Sequence, residues 1–268
     1  MTSLLMLMTA FLSPMTTDVD EFLEDLAEAR KGLHVLEAPF TMTNLTPEER
    51  MTTEGELVYA KPRRIVFRLY DEFTEEIDMV MLIDHARLFE YDAALAQLQT
   101  YHRRDATDMQ ALFAAFESDP ADLRDAYEIE LFEPGDEAHR AAIGVLLRPR
   151  ETDEGTLFER VRLYLREGDL LPTRIHIIND PTSEVFLDFH HYVVNREIDP
   201  RITQIEIPPG TRVIEDDQRV YTVKDDTEWM PEPIVPDDDA VTEEGTRLDI
   251  EPRNIPFPEI TGEELMWP

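Results

Sequence analysis

A group of histidine and aspartate residues is the part of the sequence that could bind a metal ion. Asp188, His190 and His191 are close together, and His176 belongs to the segment before them. Adjacent strand residues point to opposite faces, so only one of the two neighbouring histidines can share a face with Asp188. His190 has the same parity as Asp188, and His176 could lie opposite, which would complete a set of two histidines and one carboxylate. Polar side chains on the outside of a sheet explain the pattern more simply, so we predict neither a metal nor a cofactor.

The motifs that usually mark catalytic or nucleotide-binding sites are missing from the sequence. It contains no G-x-S-x-G elbow, P-loop, Rossmann glycine run or H-E-x-x-H helix. Nine glycines in 268 residues leave little material for phosphate-binding loops. With 59 acidic residues, carboxylate pairs occur by chance and identify no general acid or base. We therefore predict a binding protein rather than an enzyme, without catalytic residues.

The charge of the chain limits its partners. There are 59 acidic and 25 basic residues, which gives a net charge of −34, and there is no cysteine. Such a surface repels nucleic-acid phosphates, and the lack of cysteine excludes a disulfide framework. A solvated, salt-adapted acidic surface explains the charge most simply, and a basic partner is the alternative. At this length we expect one domain followed by a tail, and we expect a monomer.

The central segment alternates between apolar and polar residues in the way typical of antiparallel strands. Ile65, Phe67 and Leu69 fall on one face, and Arg64 and Arg68 on the other. Many short strands at this spacing favour one large antiparallel sheet. The predicted strands are residues 34–45, 55–60, 64–70, 79–83, 88–92, 97–101, 127–132, 141–147, 158–167, 172–178 and 184–194.

Two segments change to helical spacing. Residues 18–31 place Val19, Phe22 and Leu26 on one face and end before Gly32. Residues 105–125 hold a second amphipathic pattern. This second segment is either a lid that opens over a ligand cavity or a helical crossover packed permanently against the sheet. Its apolar positions are Met109, Leu112, Phe113 and Phe116.

Short motifs in the central segment resemble those of the LolA family, the periplasmic carriers that transfer lipoproteins to the outer membrane. The family pattern reads G-x-L, R/K-P, R/W, D-G-x-x-L-W-x-Y-N/D and Q at closely similar spacing. A second block, residues 205–214, resembles the end of the family's domain, so the resemblance spans about residues 19–215. The matching residues are Gly55, Leu57, Lys61, Pro62, Arg68, Tyr70, Asp84, Leu88, Phe89, Tyr91, Asp92, Gln97 and Asn195.

The resemblance implies a mainly β (α+β) fold, in which a large curled antiparallel sheet forms an incomplete barrel. An N-terminal helix and a helical lid cover its open side. It also implies a hydrophobic cavity for lipoprotein acyl chains, in which each buried CH₂ is worth about 0.8 kcal/mol. A basic residue at the position of Lys61, or the nearby Arg63 or Arg64, is expected to tether the lid. By strand parity, the predicted cavity residues are Ile65, Phe67, Leu69, Met81, Phe89, Tyr91, Leu163 and Leu187.

The two ends of the chain differ from its middle. Residues 1–17 contain a short apolar run like that of a signal peptide, but it is atypical because the first basic residue is Arg30. Residues 18–225 form the predicted LolA-like domain. Residues 226–268 are an acidic, proline-rich tail that we expect to be largely disordered.

The resemblance therefore implies an exported, periplasmic carrier. It would receive lipoproteins from an inner-membrane release machinery and pass them to an outer-membrane acceptor. Two alternatives use the same residues. The half-barrel could sense lipids or lipoproteins as a regulatory module without transporting them, or its own side chains could fill the cavity permanently.

Overall fold

The computed structural model describes residues 18–84, 87–102, 113, 115–116, 120–135, 142–150, 158–215 and 219–223. The predictions for residues 1–17 and 226–268 lie outside these ranges, as do those for Met109 and Leu112. Within the described ranges, no helix is both long enough and apolar enough to cross a membrane.

The first element is a helix, α1, at Val19–Lys31. The Asp18 carboxylate caps its N-terminus by accepting a hydrogen bond from the Asp20 backbone N–H at 3.2 Å. Gly32 ends the helix. The predicted helix is therefore confirmed, although one of its buried side chains is charged. The buried side chains are Phe22, Leu23, Leu26 and Arg30.

Most of the described chain is β-strand, as the alternation predicts. β2 begins earlier than predicted, because residues 50–54, which are mostly polar, also pair with β1. A short helix, α2 (Pro120–Ala126), precedes β7, and a 3₁₀ turn (Pro200–Thr203) precedes β13. The strands are β1 (Val35–Leu45), β2 (Arg50–Ala60), β3 (Arg64–Tyr70), β4 (Ile77–Ile83), β5 (Arg87–Asp92), β6 (Gln97–His102), β7 (Tyr127–Phe132), β8 (Ala142–Pro149), β9 (Arg160–Arg166), β10 (Pro172–Asp180), β11 (Ser183–Phe189), β12 (Val193–Val194), β13 (Arg212–Glu215) and β14 (Arg219–Thr222).

The strands form one sheet in the order β14-β13-β6-β5-β4-β3-β2-β1-β11-β10-β9-β8-β7, and the short β12 also pairs with β1. All strand pairs among the described residues are antiparallel except β13 with β6, which is parallel. Among these residues no pairing joins β14 to β7, so the sheet stays open at both edges. The predicted fold class, a large curled sheet that does not close into a barrel, is confirmed.

Strand alternation gives the sheet two apolar faces, and each has its own core. We call the face packed against α1 the helix side; its core includes Leu57, Ile65 and Leu163. The opposite face is covered by residues 198–207, which we call the strap, so this face is the strap side. Its core includes Val66, Leu82, Phe89, Ile205 and Ile207. Strands with residues in both cores are therefore buried on both faces, which explains why several strands are apolar throughout.

Gly55 lies where the sheet has no room for a side chain. A β-carbon at this position would lie 2.6 Å from Phe40 Cζ and 2.7 Å from the Arg68 carbonyl oxygen. Phe40 is directly opposite Gly55 in the β1–β2 pair. Its buried ring packs edge-to-face on Phe67, with 5.7 Å between the ring centroids. The glycine of the G-x-L motif therefore makes room for the Phe40 ring in the helix-side core.

We predict that Gly55→Ala lowers the free energy of unfolding by about 1–3 kcal/mol, because the added methyl group overpacks this part of the core. Gly32→Ala is the matched control, since a β-carbon there would meet nothing within 4 Å. Urea unfolding followed by circular dichroism measures both variants. Equal stability of the two variants would show that the Phe40 ring moves aside without cost, contrary to this prediction.

Candidate hydrophobic ligand site

The helix side of the sheet is covered by α1, by α2 and by the segment around Phe116. We call these three parts the cover. α1 packs on the sheet through Phe22 and Leu26, and α2 through Leu123. Phe113 and Phe116, two of the predicted lid residues, belong to the same core. The centre of the helix side is thus filled by the protein's own side chains.

Phe116 lies at the centre of the cover and is fully buried. Its ring stacks on Tyr59 with 5.8 Å between centroids and an interplanar angle of 22°. It also meets the edge of Phe189, at 6.2 Å and 88°. Tyr59 belongs to β2 and Phe189 to β11, so one aromatic ring of the cover bridges two strands of the sheet.

Partly buried apolar side chains surround this core. Several of them are methionines, whose unbranched thioether chains adapt to irregular space. Because these side chains are incompletely covered, they offer an apolar surface at the margin between the sheet and the cover. They include Met42, Met79, Met81, Leu88, Ile129, Leu131, Ile143 and Ile177.

Arg30 fastens the cover to the sheet. Its guanidinium donates to the Ala115 carbonyl oxygen from Nε at 3.1 Å and from Nη2 at 2.9 Å. Nη1 donates to the Asp169 carbonyl oxygen at 3.0 Å, and Nη2 also donates to that of Leu170. The side chain is only 4% exposed. One cation therefore joins α1, the segment around Phe116 and the turn between β9 and β10.

Burial lowers the pKa of Arg30 to about 10, because water no longer solvates the charge. The guanidinium is still cationic at neutral pH. Backbone carbonyl dipoles accept its hydrogen bonds, and the nearby Asp169 carboxylate opposes the shift. A cation held in this way would regain its hydration if it were exposed to water, so its exposure would not leave a charge in an apolar medium.

The β9–β10 turn that receives Arg30 is itself fixed by charged and aromatic groups. The Asp169 carboxylate accepts hydrogen bonds from Arg166 Nε and from the Leu171 N–H, both at 3.1 Å. The Arg166 guanidinium lies 5.7 Å from the centroid of the Tyr192 ring. The Tyr192 hydroxyl donates to the Pro172 carbonyl, and burial raises the pKa of this tyrosine. The Asp169 and Leu170 carbonyls, which accept hydrogen bonds from Arg30, therefore lie in a well-fixed turn.

Most of the predicted cavity residues lie on the helix side. Met81 packs at the margin of the core, where it is partly buried. The remaining five of this group are buried within the same core as the apolar residues of the cover. They are Ile65, Phe67, Leu69, Leu163 and Leu187.

The prediction was wrong for Phe89 and Tyr91, which belong to the strap-side core. Phe89 pairs with Leu82 and Tyr91 with Val80. The reason is the register across the β4–β5 turn, where an odd-numbered residue of β4 pairs with an even-numbered residue of β5. Assuming equal parity on both strands therefore assigned β5 to the wrong face.

The helix-side positions of β5 are Leu88 and Glu90, which pair with Ile83 and Met81. Burial raises the pKa of the Glu90 carboxyl, and the nearby Asp92 carboxylate adds to the shift. The helix side thus becomes polar towards β6, where Glu90 pairs with Gln99. The apolar part of the face is bounded on this side by carboxyl and amide groups.

The three predicted tethering residues occupy different surroundings. Arg63 Nη2 donates to Asp122 Oδ2 at 2.9 Å and so links the β2–β3 turn to α2. Arg64 alternates with Ile65 and lies on the other side of the strand, where burial lowers its pKa and the nearby Asp84 opposes the shift. Lys61 is exposed. Of the three, Arg63 contacts the cover directly.

The histidines and Asp188 are not arranged as a metal site. Asp188 pairs with Arg174 in the sheet and accepts two hydrogen bonds from its guanidinium, at 2.5 and 3.0 Å. His176 lies opposite Phe186 instead, stacks on that ring and bonds Glu184 at 2.9 Å. Among the described residues, no group of three histidine, aspartate or glutamate side chains is placed to hold a metal ion.

Asn195, one of the residues that carry the family resemblance, joins α1 to the sheet. Its Oδ1 accepts hydrogen bonds from the backbone N–H groups of His34 at 2.8 Å and Val35 at 3.2 Å. Its Nδ2 donates to the Gly32 carbonyl at 2.6 Å. The residue has a φ of 54°, a left-handed conformation that asparagine tolerates better than most residues. Asn195 therefore fixes the end of α1 relative to the start of β1.

Comparison with known proteins gives structural neighbours only. No family model matches the sequence, and no curated protein matches it. A solved structure of an uncharacterised conserved protein from Thermus thermophilus is 11% identical, with a TM-score of 0.47, covering 74% of this chain and 99% of that one. A LolA superfamily protein from Nitrosomonas europaea is 12% identical, with a TM-score of 0.40, covering 69% and 96%.

The Pseudomonas aeruginosa MucA/MucB complex is also similar, at 16% identity and a TM-score of 0.37, covering 71% of this chain and 66% of that one. LolA superfamily proteins are thus among the structures to which this chain is similar, as the motif resemblance predicts.

We predict that Arg30→Lys lowers the free energy of unfolding by about 1.5–3 kcal/mol, because an ammonium cannot reproduce the planar fork that reaches three carbonyl oxygens. Arg201→Lys is the control, since Arg201 is 72% exposed and pairs with Asp199 at the surface. Hydrogen exchange should show faster exchange in α1 and α2 of the Arg30 variant, while β9–β11 stay protected. Uniform loosening of all these elements would show that Arg30 is ordinary core support and not a fastening of the cover.

Proposed function

We propose that this protein binds lipoprotein acyl chains between the helix side of its sheet and the cover, and that it carries lipoproteins through the periplasm to the outer membrane. The observation that carries the proposal is the construction of the helix-side core. One half of that core belongs to a hydrogen-bonded sheet, and the other half to a cover that meets the sheet mainly through side chains. Two such halves can separate while each keeps its backbone hydrogen bonds.

The C-terminal end of α2 is bound to the residue after β8, since Arg150 Nε donates to the Arg124 carbonyl at 2.7 Å and the Arg150 N–H to that of Ala126 at 2.9 Å. Other polar contacts of the cover are ion pairs at the surface. Arg63 pairs with Asp122, and Arg124 of α2 pairs with Asp20 of α1 at 2.6 Å. Exposed pairs of this kind are each worth about 0–1 kcal/mol. Arg30 supplies the buried contacts, and its charge is better solvated when the cover is open. Opening is therefore opposed chiefly by the loss of apolar contacts, which an acyl chain can replace.

The ligand that fits between these surfaces is a flexible hydrocarbon chain. The facing surfaces are aliphatic and aromatic, and the methionines at the margin adapt to different chain paths. Each CH₂ group that enters contributes about 0.8 kcal/mol, so several acyl chains bind strongly without specific polar contacts. The polar acylated end of a lipoprotein would stay at the margin near Glu90, where the helix side becomes polar.

The transport step is tested in the protein's own cells. When the gene is deleted, the carrier proposal expects lipoproteins to accumulate in the inner membrane, as measured by separating the membranes and quantifying the lipoproteins in each. A complementing copy with Arg30→Lys should restore sorting only in part. Normal sorting in the deletion strain would contradict the carrier step and would leave lipid or lipoprotein sensing as the role of the same site.

Acyl binding is tested with Phe116→Ala and a fluorescent fatty acid. Removing a buried phenylalanine costs a permanently packed core about 3–5 kcal/mol. In a cover that opens, the same loss raises the fraction of open molecules and therefore tightens the apparent affinity for the probe by several-fold. Phe40→Ala is the matched control, because Phe40 is equally buried but belongs to the sheet. If both variants bind the probe no better than the wild type, the cover does not gate an acyl site.

A further inference from the structure

Exposed large apolar side chains are concentrated at one end of the sheet. Six such residues are found in the described part of the chain. Five of them lie in or beside the turns that connect β1 to β2, β3 to β4 and β5 to β6. The five are Leu45 at 39% exposure, Met51 at 51%, Phe73 at 87%, Ile77 at 41% and Leu95 at 68%. The sixth, Val220, lies apart from these turns, on the edge strand β14.

The topology brings these three turns together. β1 to β6 are consecutive neighbours in the sheet, and each pairs with the next in antiparallel fashion. β1, β3 and β5 therefore run in the same direction and end at the same side. Neighbouring turns are two strand spacings apart, which is about 10 Å. We call the surface formed by the five exposed apolar residues the tip surface.

The turns that present the tip surface are well ordered by their own hydrogen bonds. The Asp71 carboxylate accepts from the backbone N–H groups of Phe73 at 2.9 Å and Thr74 at 2.8 Å, and from the Thr74 hydroxyl at 3.0 Å. These bonds, with that from the Thr74 backbone first, lower the pKa of Asp71. In the β5–β6 turn, the Leu95 N–H donates to Asp92 Oδ1 at 2.8 Å. These hydrogen bonds fix the backbone of the two turns, and the side chains of Phe73 and Leu95 remain exposed.

Carboxylates surround the apolar residues of the tip surface. Arg50 is the only basic residue of these three turns. The carboxylates of these turns form a strongly negative rim around the tip surface. A partner that binds the apolar residues must also be compatible with that charge. The exposed acidic residues of the rim are Glu48, Glu49, Glu72, Glu75, Glu76 and Asp78.

The tip surface continues into a cleft on the strap side. This cleft has a volume of about 440 Å³, and Ile77 and Ala93 of the tips form part of its wall. Val80 and Tyr91 line it from the sheet, and the strap closes it from the other side through Ile202 and other residues. A partner that covers the tips therefore also meets a concave surface in which one of its side chains can be buried.

We propose that the tip surface is a docking site for a protein whose contact face has an apolar pocket bordered by arginine or lysine. Apolar burial would come from Phe73 and Leu95, and the acidic rim would orient the partner. A lipid surface fits less well, because the rim carboxylates would be pressed against headgroup phosphates. A second copy of this chain would bring two acidic rims together. The docking site does not depend on acyl binding at the helix side.

A fluorescein-labelled synthetic amphipathic peptide of leucine and lysine serves as the probe, and fluorescence anisotropy measures its affinity. The Phe73→Ser/Leu95→Ser variant should bind the peptide about tenfold more weakly than the wild type. Val220→Ser is the control and should not change the affinity. Glu72→Gln/Glu76→Gln should weaken binding and reduce its dependence on salt. Equal affinity of the wild type and the tip variant would overturn the proposal.

Two further measurements test the other occupants. Sedimentation with vesicles of phosphatidylcholine, with and without phosphatidylglycerol, should show no binding that depends on Phe73. Analytical ultracentrifugation should show no self-association that Phe73→Ser removes. A positive result in either measurement would overturn the proposal in favour of a lipid surface or a second copy. The substitutions are at exposed positions, and circular dichroism checks that each variant is folded.

Discussion

The fold depends on covering the helix side of an open sheet. A closed barrel buries its interior by itself, whereas this sheet has two free edges among the described residues and an apolar face between them. That face is too apolar to meet water, since burying apolar surface is worth about 25 cal/mol per Å². α1, α2 and Phe116 supply the missing layer, and Arg30 fixes their position with hydrogen bonds to three carbonyl oxygens.

The sheet and its cover are stabilised by different interactions. The sheet is held by backbone hydrogen bonds from strand to strand, and its strap side is buried independently. The cover is held by side-chain packing, by one buried cation and by surface ion pairs. Local opening of the cover therefore leaves most of the native contacts intact. In a protein built in this way, contacts between the cover and the sheet can be replaced by contacts with a hydrophobic ligand.

Strand alternation made much of the sheet predictable from the sequence. Ile65, Phe67 and Leu163 reach the helix side as their parity indicates, because the two parity changes between their strands, at the β1–β2 and β1–β11 pairs, cancel. Phe89 was assigned to the wrong face because the parity change depends on the register across one turn, and no residue pattern within either strand reports that register. The motif residue Gly55 was recognisable, but the ring of Phe40 that requires it became visible only in the fold.

The hydrogen-bond partners of Arg30 could not be predicted from the sequence. An arginine on the apolar stripe of α1, one turn after Leu26, was the available signal of a buried charge. Its acceptors are backbone carbonyls 85 to 140 positions away, and a carbonyl has no residue type that a pattern could reveal. The family resemblance instead predicts a tether among the basic residues near the Lys61 position, where Arg63 reaches α2 from the surface. The buried contact is made by Arg30, which belongs to α1 itself.

Native mass spectrometry of the protein purified from its own cells tests the central claim most directly. If the cover closes over acyl chains, part of the protein should carry the additional mass of a lipid or an acylated protein. Extraction with organic solvent should remove that mass. A preparation that shows only the mass of the bare chain before and after extraction would contradict an acyl-binding site on the helix side.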